Sequence, residues 1–301
     1  MSTQLKNVLL IGAGGKLGPH ILSALSQEPS FNLTILSRAS SASVFPPNIK
    51  IQRISDTYPE SELLEAFKGQ DAIVSAIATS SAEIQKKFID IAAKVGVKRF
   101  IPSEFGSDVE NEKAMGLLPQ YFKGKRDTVD YLKPKESDGL TWTAFVTGPF
   151  FDLAMKIGYL GIDTNNQKAT LYNNGSVPFS TTTLSTIGLA VKSALLIPEQ
   201  TASKYLYISS FTVSQKQILA AFEKASGKTW DVSYADAEED KKEGFAKMAK
   251  GDFSGAAHII RYINLNEGHG GDFGLYREGA NELLGLKEES LDEVVAGIVK
   301  G

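Results

Sequence analysis

A glycine-rich turn follows the first apolar run of the sequence. Glycines at positions 12, 15 and 18 separate Val8–Ile11 from an amphipathic segment, Leu17–Leu25. Glycine permits a tight turn, close backbone approach to a pyrophosphate and close packing of a helix on a strand. The N-terminus of the helix offers free N–H groups and a positive dipole end to phosphate. The alternative is a flexible turn that binds nothing. The strand–turn–helix context favours a dinucleotide site formed by Gly12, Gly14, Gly15, Lys16, Leu17 and Gly18.

The pair Ser37-Arg38 ends the second predicted strand. An NAD site carries an acidic residue there for the ribose 2′-hydroxyl, whereas an arginine accommodates the 2′-phosphate of NADP. A guanidinium can bind that phosphate through two parallel hydrogen bonds. The alternative is an ordinary solvated arginine, but the position favours NADPH/NADP as the cofactor. Two residues that follow the fourth predicted strand, Ile77 and Ala78, are assigned to the same site.

Tyr121 and Lys125 are four residues apart in a predicted helix, so they share one face. A tyrosine whose pKa is lowered by a nearby ammonium can act as a general acid or base. The lysine could also hold the nicotinamide ribose. Ser103 lies just after the fifth predicted strand, at the sheet edge where ligands of open α/β sheets bind. Tyr121, Lys125 and Ser103 are therefore catalytic candidates, against the alternative of a solvated helix face.

Four apolar residues follow strand ends or the junction near residue 150. We predict that they line a pocket for an aromatic substrate, with ordinary core packing as the alternative. They are Phe105, Phe150, Phe151 and Met155.

The strands and helices that position these residues are predicted by short apolar runs that alternate with segments of helical spacing. Short runs at 33–36, 49–54, 72–74, 99–101 and 142–146 predict further strands, and helical spacing lies between them. This alternation predicts an α/β fold, a Rossmann-type doubly wound parallel sheet with a smaller C-terminal substrate domain. We assign residues 1–150 to the NADP-binding domain and 151–301 to the substrate domain. A segment near 178–209, with a candidate helix at Ile187–Leu196, is a candidate to return to the first domain.

Composition excludes several classes of protein. The 301 residues carry a net charge of −3 and no basic block, so nucleic acid is not an expected partner. With no cysteine, disulfide scaffolds, thiolate zinc sites and cysteine nucleophiles are excluded, and the three histidines lack metal-ligand spacing, so we predict no metal. No signal pattern and no membrane-length apolar run are found. We expect a cytoplasmic monomer or homodimer acting on a small-molecule substrate, without a membrane partner.

The sequence resembles the isoflavone reductase-like and NmrA-like proteins, which are atypical short-chain dehydrogenases. The resemblance covers nearly the whole chain. It is carried by Gly12–Gly18, Ser37-Arg38, Lys98–Gly106 with its Pro-Ser-Glu-Phe-Gly, Lys125 with the following Tyr131-Leu132, Gly148–Asp152 and Ser290–Val294.

The resemblance implies NADPH-dependent reduction of aromatic natural products such as isoflavones and benzylic ethers, with a catalytic lysine. Lys125 fits that lysine best and Lys123 is the fallback. Most members lack the tyrosine of ordinary short-chain dehydrogenases, so Tyr121 leaves the proton donor open between itself and Lys125. The segment Ala39–Ser43 departs from relatives that place a basic residue after the arginine. One 2′-phosphate contact is then missing or replaced by a serine hydroxyl.

Three functions are compatible with these residues. The leading one is an NADPH-dependent reductase of an aromatic or polyketide-like small molecule. The second is a non-catalytic NAD(P)-sensing regulatory protein of the NmrA type, which needs only the phosphate site. The third is a cofactor-independent cyclase or isomerase, because a fold does not determine a function. Retention of Lys125 and Tyr121 favours the reductase.

Overall fold

A central sheet of seven parallel strands organises the molecule. The computed structural model describes residues 4–78 and 82–300. Its sheet has the order β10-β6-β5-β4-β1-β2-β3, and every pairing is parallel. The α/β class and the Rossmann-type sheet predicted from the sequence are confirmed. The strands are β1 (Asn7–Ile11), β2 (Asn32–Arg38), β3 (Lys50–Ile54), β4 (Ala72–Ser75), β5 (Arg99–Ile101), β6 (Thr141–Val146) and β10 (Lys204–Tyr207).

Helices cover both faces of this sheet, which explains why its central strands are continuously apolar. One face is covered by α1 (Gly18–Ser26) and α7 (Leu184–Leu196), whose apolar residues share one core with β1. The other face is covered by α2 (Glu60–Phe67), α3 (Ala82–Lys94) and α5 (Pro119–Leu132). The helix α1 begins where the glycine turn ends, so the turn lies at the carboxyl end of β1.

A second layer of structure lies beyond residue 150 and has its own apolar core. A three-stranded sheet contains β7 (Ile162–Asp163), β8 (Lys168–Tyr172) and β12 (Asp231–Ala235), while β9 (Phe179–Thr181) pairs antiparallel with β11 (Phe211–Val213). The remaining helices are α4 (Glu112–Leu117), α6 (Phe151–Lys156), α8 (Pro198–Thr201), α9 (Gln215–Ser226), α10 (Ala237–Ala249), α11 (Gly255–Leu265) and α12 (Leu291–Lys300). Among the described residues, no helix combines the length and apolar character that a membrane crossing requires.

Two segments from beyond residue 180 pack with the seven-stranded sheet and its helices, which form the first layer, rather than with the second layer. The helix α7 lies on α1, and β10 extends the sheet beside β6. Farther along, the Ala280 amide donates to the Tyr207 carbonyl at 2.7 Å, and Leu284 belongs to the apolar core that includes residues of α1, α7 and β1. The division at residue 150 stays a prediction about domains, and the central sheet includes chain from beyond residue 200.

Candidate active site

Packing within the protein itself requires glycine at two positions of the turn, Gly12 and Gly18. A Cβ on Gly12, which has φ +86°, would lie 2.4 Å from the Ala76 carbonyl oxygen, and one on Gly18 would lie 2.2 Å from the Gly12 carbonyl oxygen. At Gly15 the nearest atom would be 3.3 Å away, so internal packing alone constrains this position much less. No side chain caps the N-terminus of α1. Pro19 in the first turn has no N–H group and the His20 amide donates to the Leu17 carbonyl at 3.0 Å, so α1 offers a ligand chiefly the positive end of its dipole and the amides of the preceding turn.

Basic groups from two strands meet at the end of β2. Arg38 is exposed as the last residue of that strand, and Ser37 before it is buried. On β3, Arg53 pairs in register with Ser37, and its Nη1 donates to the Arg38 carbonyl at 3.2 Å and the Ser41 carbonyl at 3.0 Å. The sequence analysis missed Arg53, because its proximity to Arg38 depends on how β2 and β3 pair.

A cleft of about 770 Å³ lies where the carboxyl ends of the strands meet the second layer. Many predicted site residues line it. They are Gly15, Lys16, Leu17, Ile77, Ala78, Ser103, Phe105, Tyr121, Lys125 and Phe150. Other predicted residues lie outside its wall: Gly12, Gly14 and Gly18 form the base of the turn, and Ser37 and Arg38 stand at the end of β2.

Lys125 reaches the cleft from the packed face of α5. Phe122 and Val129 on that helix are buried, and Lys125 itself is only 8% exposed. Its Nζ donates to the carbonyl oxygen of Glu104 in the turn after β5. A Cβ on Gly106 would lie 3.1 Å from this Nζ, so the glycine leaves room for the ammonium. By contrast, Lys123 is exposed and paired with Asp127 at 2.6 Å. The fallback lysine therefore points away from the cleft.

Tyr121 and Ser103 also line the cleft, but each has other contacts. The Ser103 hydroxyl donates to the Ile77 carbonyl at 2.7 Å, and its amide donates to the Gln85 side chain at 2.8 Å. Tyr121 is half-buried in the first turn of α5 and stands edge-on to Phe122. No hydrogen bond joins Tyr121, Ser103 and Lys125 in the part of the chain that is described. Ser103, Tyr121 and Lys125 therefore line one cleft, but no hydrogen bond connects these described residues to one another.

Glu104 is a cleft residue that the sequence analysis did not assign. Its side chain is almost fully buried, and its Oε1 has no hydrogen-bond partner. Burial raises the pKa of this carboxyl to about 7, although the nearby Lys125 charge opposes the shift. Its amide donates to the Pro102 carbonyl at 2.8 Å, and the next residue, Phe105, has φ +23°. The available signal in the sequence was an acidic residue three positions after the fully buried strand β5.

The predicted aromatic pocket needs a correction at two of its four positions. Phe105 and Phe150 line the cleft, and the Phe105 ring stacks on Phe145 with a centroid distance of 5.7 Å. Phe151 and Met155 do not belong to the cleft wall, because both have no exposed surface and lie in the core of the second layer. They fall on the buried face of the short helix α6, whereas Leu153 and Ala154 on that helix contact the cleft.

A charged cluster between α10 and α11 contains a histidine but is internally paired. Potential ligand atoms of Asp240, Glu243 and His258 lie within 4.8 Å of one another. Arg261 donates to both carboxylate oxygens of Asp240, and the Lys247 Nζ lies 2.8 Å from His258 Nε2. These potential ligand atoms are thus paired with one another and with cations of the protein itself, so the cluster is best described as an ion-pair network joining the two helices.

The fold and cleft together define a Rossmann-type dinucleotide-binding protein. The NmrA-like family model matches residues 4–289, and the chain belongs to this family. The predicted relationship to isoflavone reductase-like proteins is also confirmed. Oxidoreductase aprR of Aspergillus flavus is 49% identical over 98% of this chain and 99% of the relative. Oxidoreductase poxI of Penicillium oxalicum is 31% identical over 96% and 92%, respectively. These relatives place the chain among the oxidoreductases.

Solved structures agree with this assignment of the fold. An isoflavone reductase structure superposes with a TM-score of 0.80 at 21% identity, covering 98% of this chain and 100% of that chain. A complex of AtPrR2 with NADP+ and (+)pinoresinol gives the same TM-score and identity, covering 99% and 100%. The shared architecture thus extends through both layers of the protein.

Proposed function

We propose that the protein is an NADPH-dependent reductase of an aromatic or polyketide-like small molecule. The observation that carries the proposal is the single cleft that brings the glycine turn and the buried Lys125 ammonium together. The second function, a dinucleotide sensor, requires the glycine turn but gives no reason for a lysine inside an apolar cleft.

The residues at the sheet edge fit NADPH. The turn Gly12–Gly18 and the uncapped start of α1 would hold the diphosphate, and Arg38 would hold the 2′-phosphate. When bound, the cofactor supplies a hydride. Relatives of the same fold support this choice, since AtPrR2 was solved with NADP+. Arg53 from β3 adds a second cation beside Arg38 and replaces the basic residue absent from Ala39–Ser43.

The walls of the cleft fit an aromatic or chain-like substrate. Phe105, Phe150 and Ile157 supply apolar surface, and the volume lies within the range of small-molecule sites. A second cavity of about 640 Å³ adjoins the first, with Tyr121 and Ala256 lining both. The cleft alone, at about 770 Å³, offers room for a substrate longer than one ring system.

Lys125 is the proposed proton donor, because its Nζ is held inside the cleft by the Glu104 carbonyl. Tyr121 is the alternative, at the boundary between the two cavities. A positioned general acid typically contributes about 10²–10⁴-fold to the rate. Removing the correct group should therefore slow turnover by at least the smaller factor while cofactor binding persists.

The test is NADPH oxidation with a panel of aromatic enones, benzylic ethers and polyketide-derived carbonyl compounds. Lys125→Ala should lower kcat at least 100-fold, and Lys123→Ala is the matched control on the exposed face of the same helix. Tyr121→Phe shows whether the tyrosine shares the role. NADPH binding without oxidation of any compound would favour the sensor, and product formation without NADPH consumption would favour the isomerase.

A further inference from the structure

Two asparagines stand at the end of α11, and each donates its side-chain Nδ2 to the carbonyl oxygen four residues earlier. Asn264 donates to Ile260 at 2.8 Å, and Asn266 donates to Tyr262 at 2.9 Å. A carbonyl oxygen can only accept, so in both side chains it is the nitrogen that faces the helix backbone. The two residues can therefore be compared by what each remaining Oδ1 atom meets.

The oxygen of Asn266 is paired within the protein. Its Oδ1 accepts from Asn173 Nδ2 at 2.8 Å, in the turn that follows β8. Asn266 stands outside the cleft wall and joins the end of α11 to this turn. Both ends of its amide are thus satisfied by protein groups, and its role is structural.

The oxygen of Asn264 has no such partner. Asn264 lines the cleft although only 2% of its surface is exposed. Its printed bond uses the nitrogen, and no described residue donates to its Oδ1. Four polar side-chain atoms of the described residues are fully enclosed without a partner, and Asn264 Oδ1 is not among them. The small exposed part of this side chain therefore includes the oxygen, which is reached from the cleft.

The wall around this oxygen is apolar. Ala256, Ala257 and Ile260 line the cleft from the same helix. A molecule that covers this wall takes water away from the Asn264 oxygen, and an acceptor left unpaired in this way costs free energy. The Lys125 ammonium is directed to the Glu104 carbonyl on another element. The bound molecule must therefore bring its own donor to Asn264.

A neutral N–H suits this position better than a hydroxyl or an ammonium group. An indole N–H donates one proton and has no acceptor of its own to satisfy. A hydroxyl brings an oxygen that needs a donor in turn, and the side chains of Ala256, Ala257 and Ile260 have none. A cation would lose its hydration without gaining an opposite charge.

We propose that Asn264 is a specificity residue of the substrate site, whose Oδ1 accepts a hydrogen bond from the ring N–H of an aromatic nitrogen heterocycle of the indole or pyrrole kind. The proposal rests on the proposed function, which makes the cleft the substrate site. It narrows the substrate class, because an analogue without the N–H leaves the Asn264 oxygen unpaired.

The experiment measures binding, so it does not depend on turnover. The probes are 2-phenylindole and 2-phenylbenzofuran, which share one shape and differ in the ring N–H. Each is titrated by fluorescence into the protein with and without NADP+. The wild-type protein should bind the indole about tenfold more tightly. Asn264→Ala and Asn264→Leu should both bring this ratio close to one, and the leucine variant keeps the side-chain volume.

The matched control is Asn266→Ala, which removes the same side chain and the same helix bond two residues away. Its ratio should stay at the wild-type value, whatever happens to its stability. If Asn264→Leu does not fold, the ratio of Asn264→Ala decides the outcome.

Equal wild-type affinity for the two probes, or binding of neither, would overturn the proposal. A ratio that survives in Asn264→Ala, or that is lost equally in Asn266→Ala, would do the same. Failure of the proposed function gives a different result, namely no NADPH binding or no NADPH oxidation, while the ratio of probe affinities without NADP+ is measured independently.

Discussion

At the scale of single residues, the charged groups of the candidate site differ in how far they are exposed to water. Lys125 is buried yet held by a backbone carbonyl, and Glu104 is buried with a free oxygen. Arg38 and Arg53 instead remain at the surface, where an anionic ligand can reach them. The charged groups of the cleft are therefore shielded from water, whereas the two arginines near the end of β2 are not.

Cofactor preference tests the pair of arginines. Arg38→Ala should weaken NADPH binding about ten- to hundredfold, since hydrogen bonds between charged groups are worth about 1.5–3 kcal/mol. Arg53→Ala should produce a smaller loss, because it also holds two carbonyls. Calorimetric titration with NADPH and NADH measures both effects. Lys50→Ala is the control at the opposite end of β3, and an equal loss of NADH affinity would argue against a 2′-phosphate contact.

The Glu104 carboxyl should make stability depend on pH. Its pKa is raised from 4.5 to about 7 by burial, so the folded state binds the proton more tightly than the unfolded state. The favourable contribution is complete below the unfolded value and is lost as the pH rises through about 7. The upper limit of this loss is about 3 kcal/mol.

Glu104→Gln should therefore have a higher free energy of unfolding than the wild type above pH 7, and the difference should shrink below pH 5. The gain should fall short of the limit, because Lys125 loses a neighbouring negative charge. Urea unfolding across this pH range measures it. A difference that is independent of pH would show that Glu104 does not titrate as described.

At the scale of elements, a close backbone contact with α7 sets the position of α1, the helix that follows the glycine turn. The helices α1 and α7 touch where a Cβ on Gly188 would lie 2.4 Å from the His20 carbonyl oxygen. No side chain separates the helices at this point. Glycine at position 188 therefore determines how closely α7 supports the helix whose N-terminus faces the cofactor site.

Gly188→Ala should destabilise the protein by about 1–3 kcal/mol, because the added methyl group forces α1 and α7 apart. The matched control is Gly297→Ala in α12, where a Cβ would meet nothing within 4 Å. That change should stabilise the protein by up to about 1 kcal/mol through helix propensity. Thermal and denaturant unfolding compare the two, and similar effects of both substitutions would contradict the assigned packing.

At the scale of the whole molecule, the layer built on the seven-stranded sheet depends on segments from beyond residue 180, which lie between the segments of the second layer in the chain. The helix α7 covers part of one face of the sheet and strand β10 forms one edge, while Ala280 and Leu284 belong to the apolar core shared with α1 and β1. Removing these segments would expose apolar residues of β1 and α1 to water. The two layers are consequently linked in stability as well as in the cleft.

A fragment of residues 1–150 should therefore fail to fold cooperatively, although it contains the glycine turn and Arg38. Burial of its apolar surface, at about 25 cal/mol per Å², would be incomplete. A fragment extended through residue 286 restores α7, β10 and the Leu284 contact, and serves as the comparison. Circular dichroism melting and NADP+ titration measure the result, and a cooperative transition in the short fragment would establish an independent domain.

The amino-acid sequence by itself determined the local elements and the cofactor turn. Runs such as Val8–Ile11 and spacing such as Gly12–Gly18 encode strand, turn and helix through neighbouring residues, so their pattern was sufficient. Lys125 was selected by its four-residue spacing from Tyr121 and by the family resemblance, whereas its burial against the cleft was decided by the tertiary structure.

Only the tertiary structure decided which distant groups share a site. Arg53 reaches Arg38 through strand pairing, and the unpaired state of Glu104 depends on what Lys125 and Tyr205 do around it. Phe151 and Phe150 are adjacent in sequence, yet one is in the core and the other in the cleft wall. These outcomes depend on burial and on contacts between residues far apart in the chain, which periodicity and spacing do not contain.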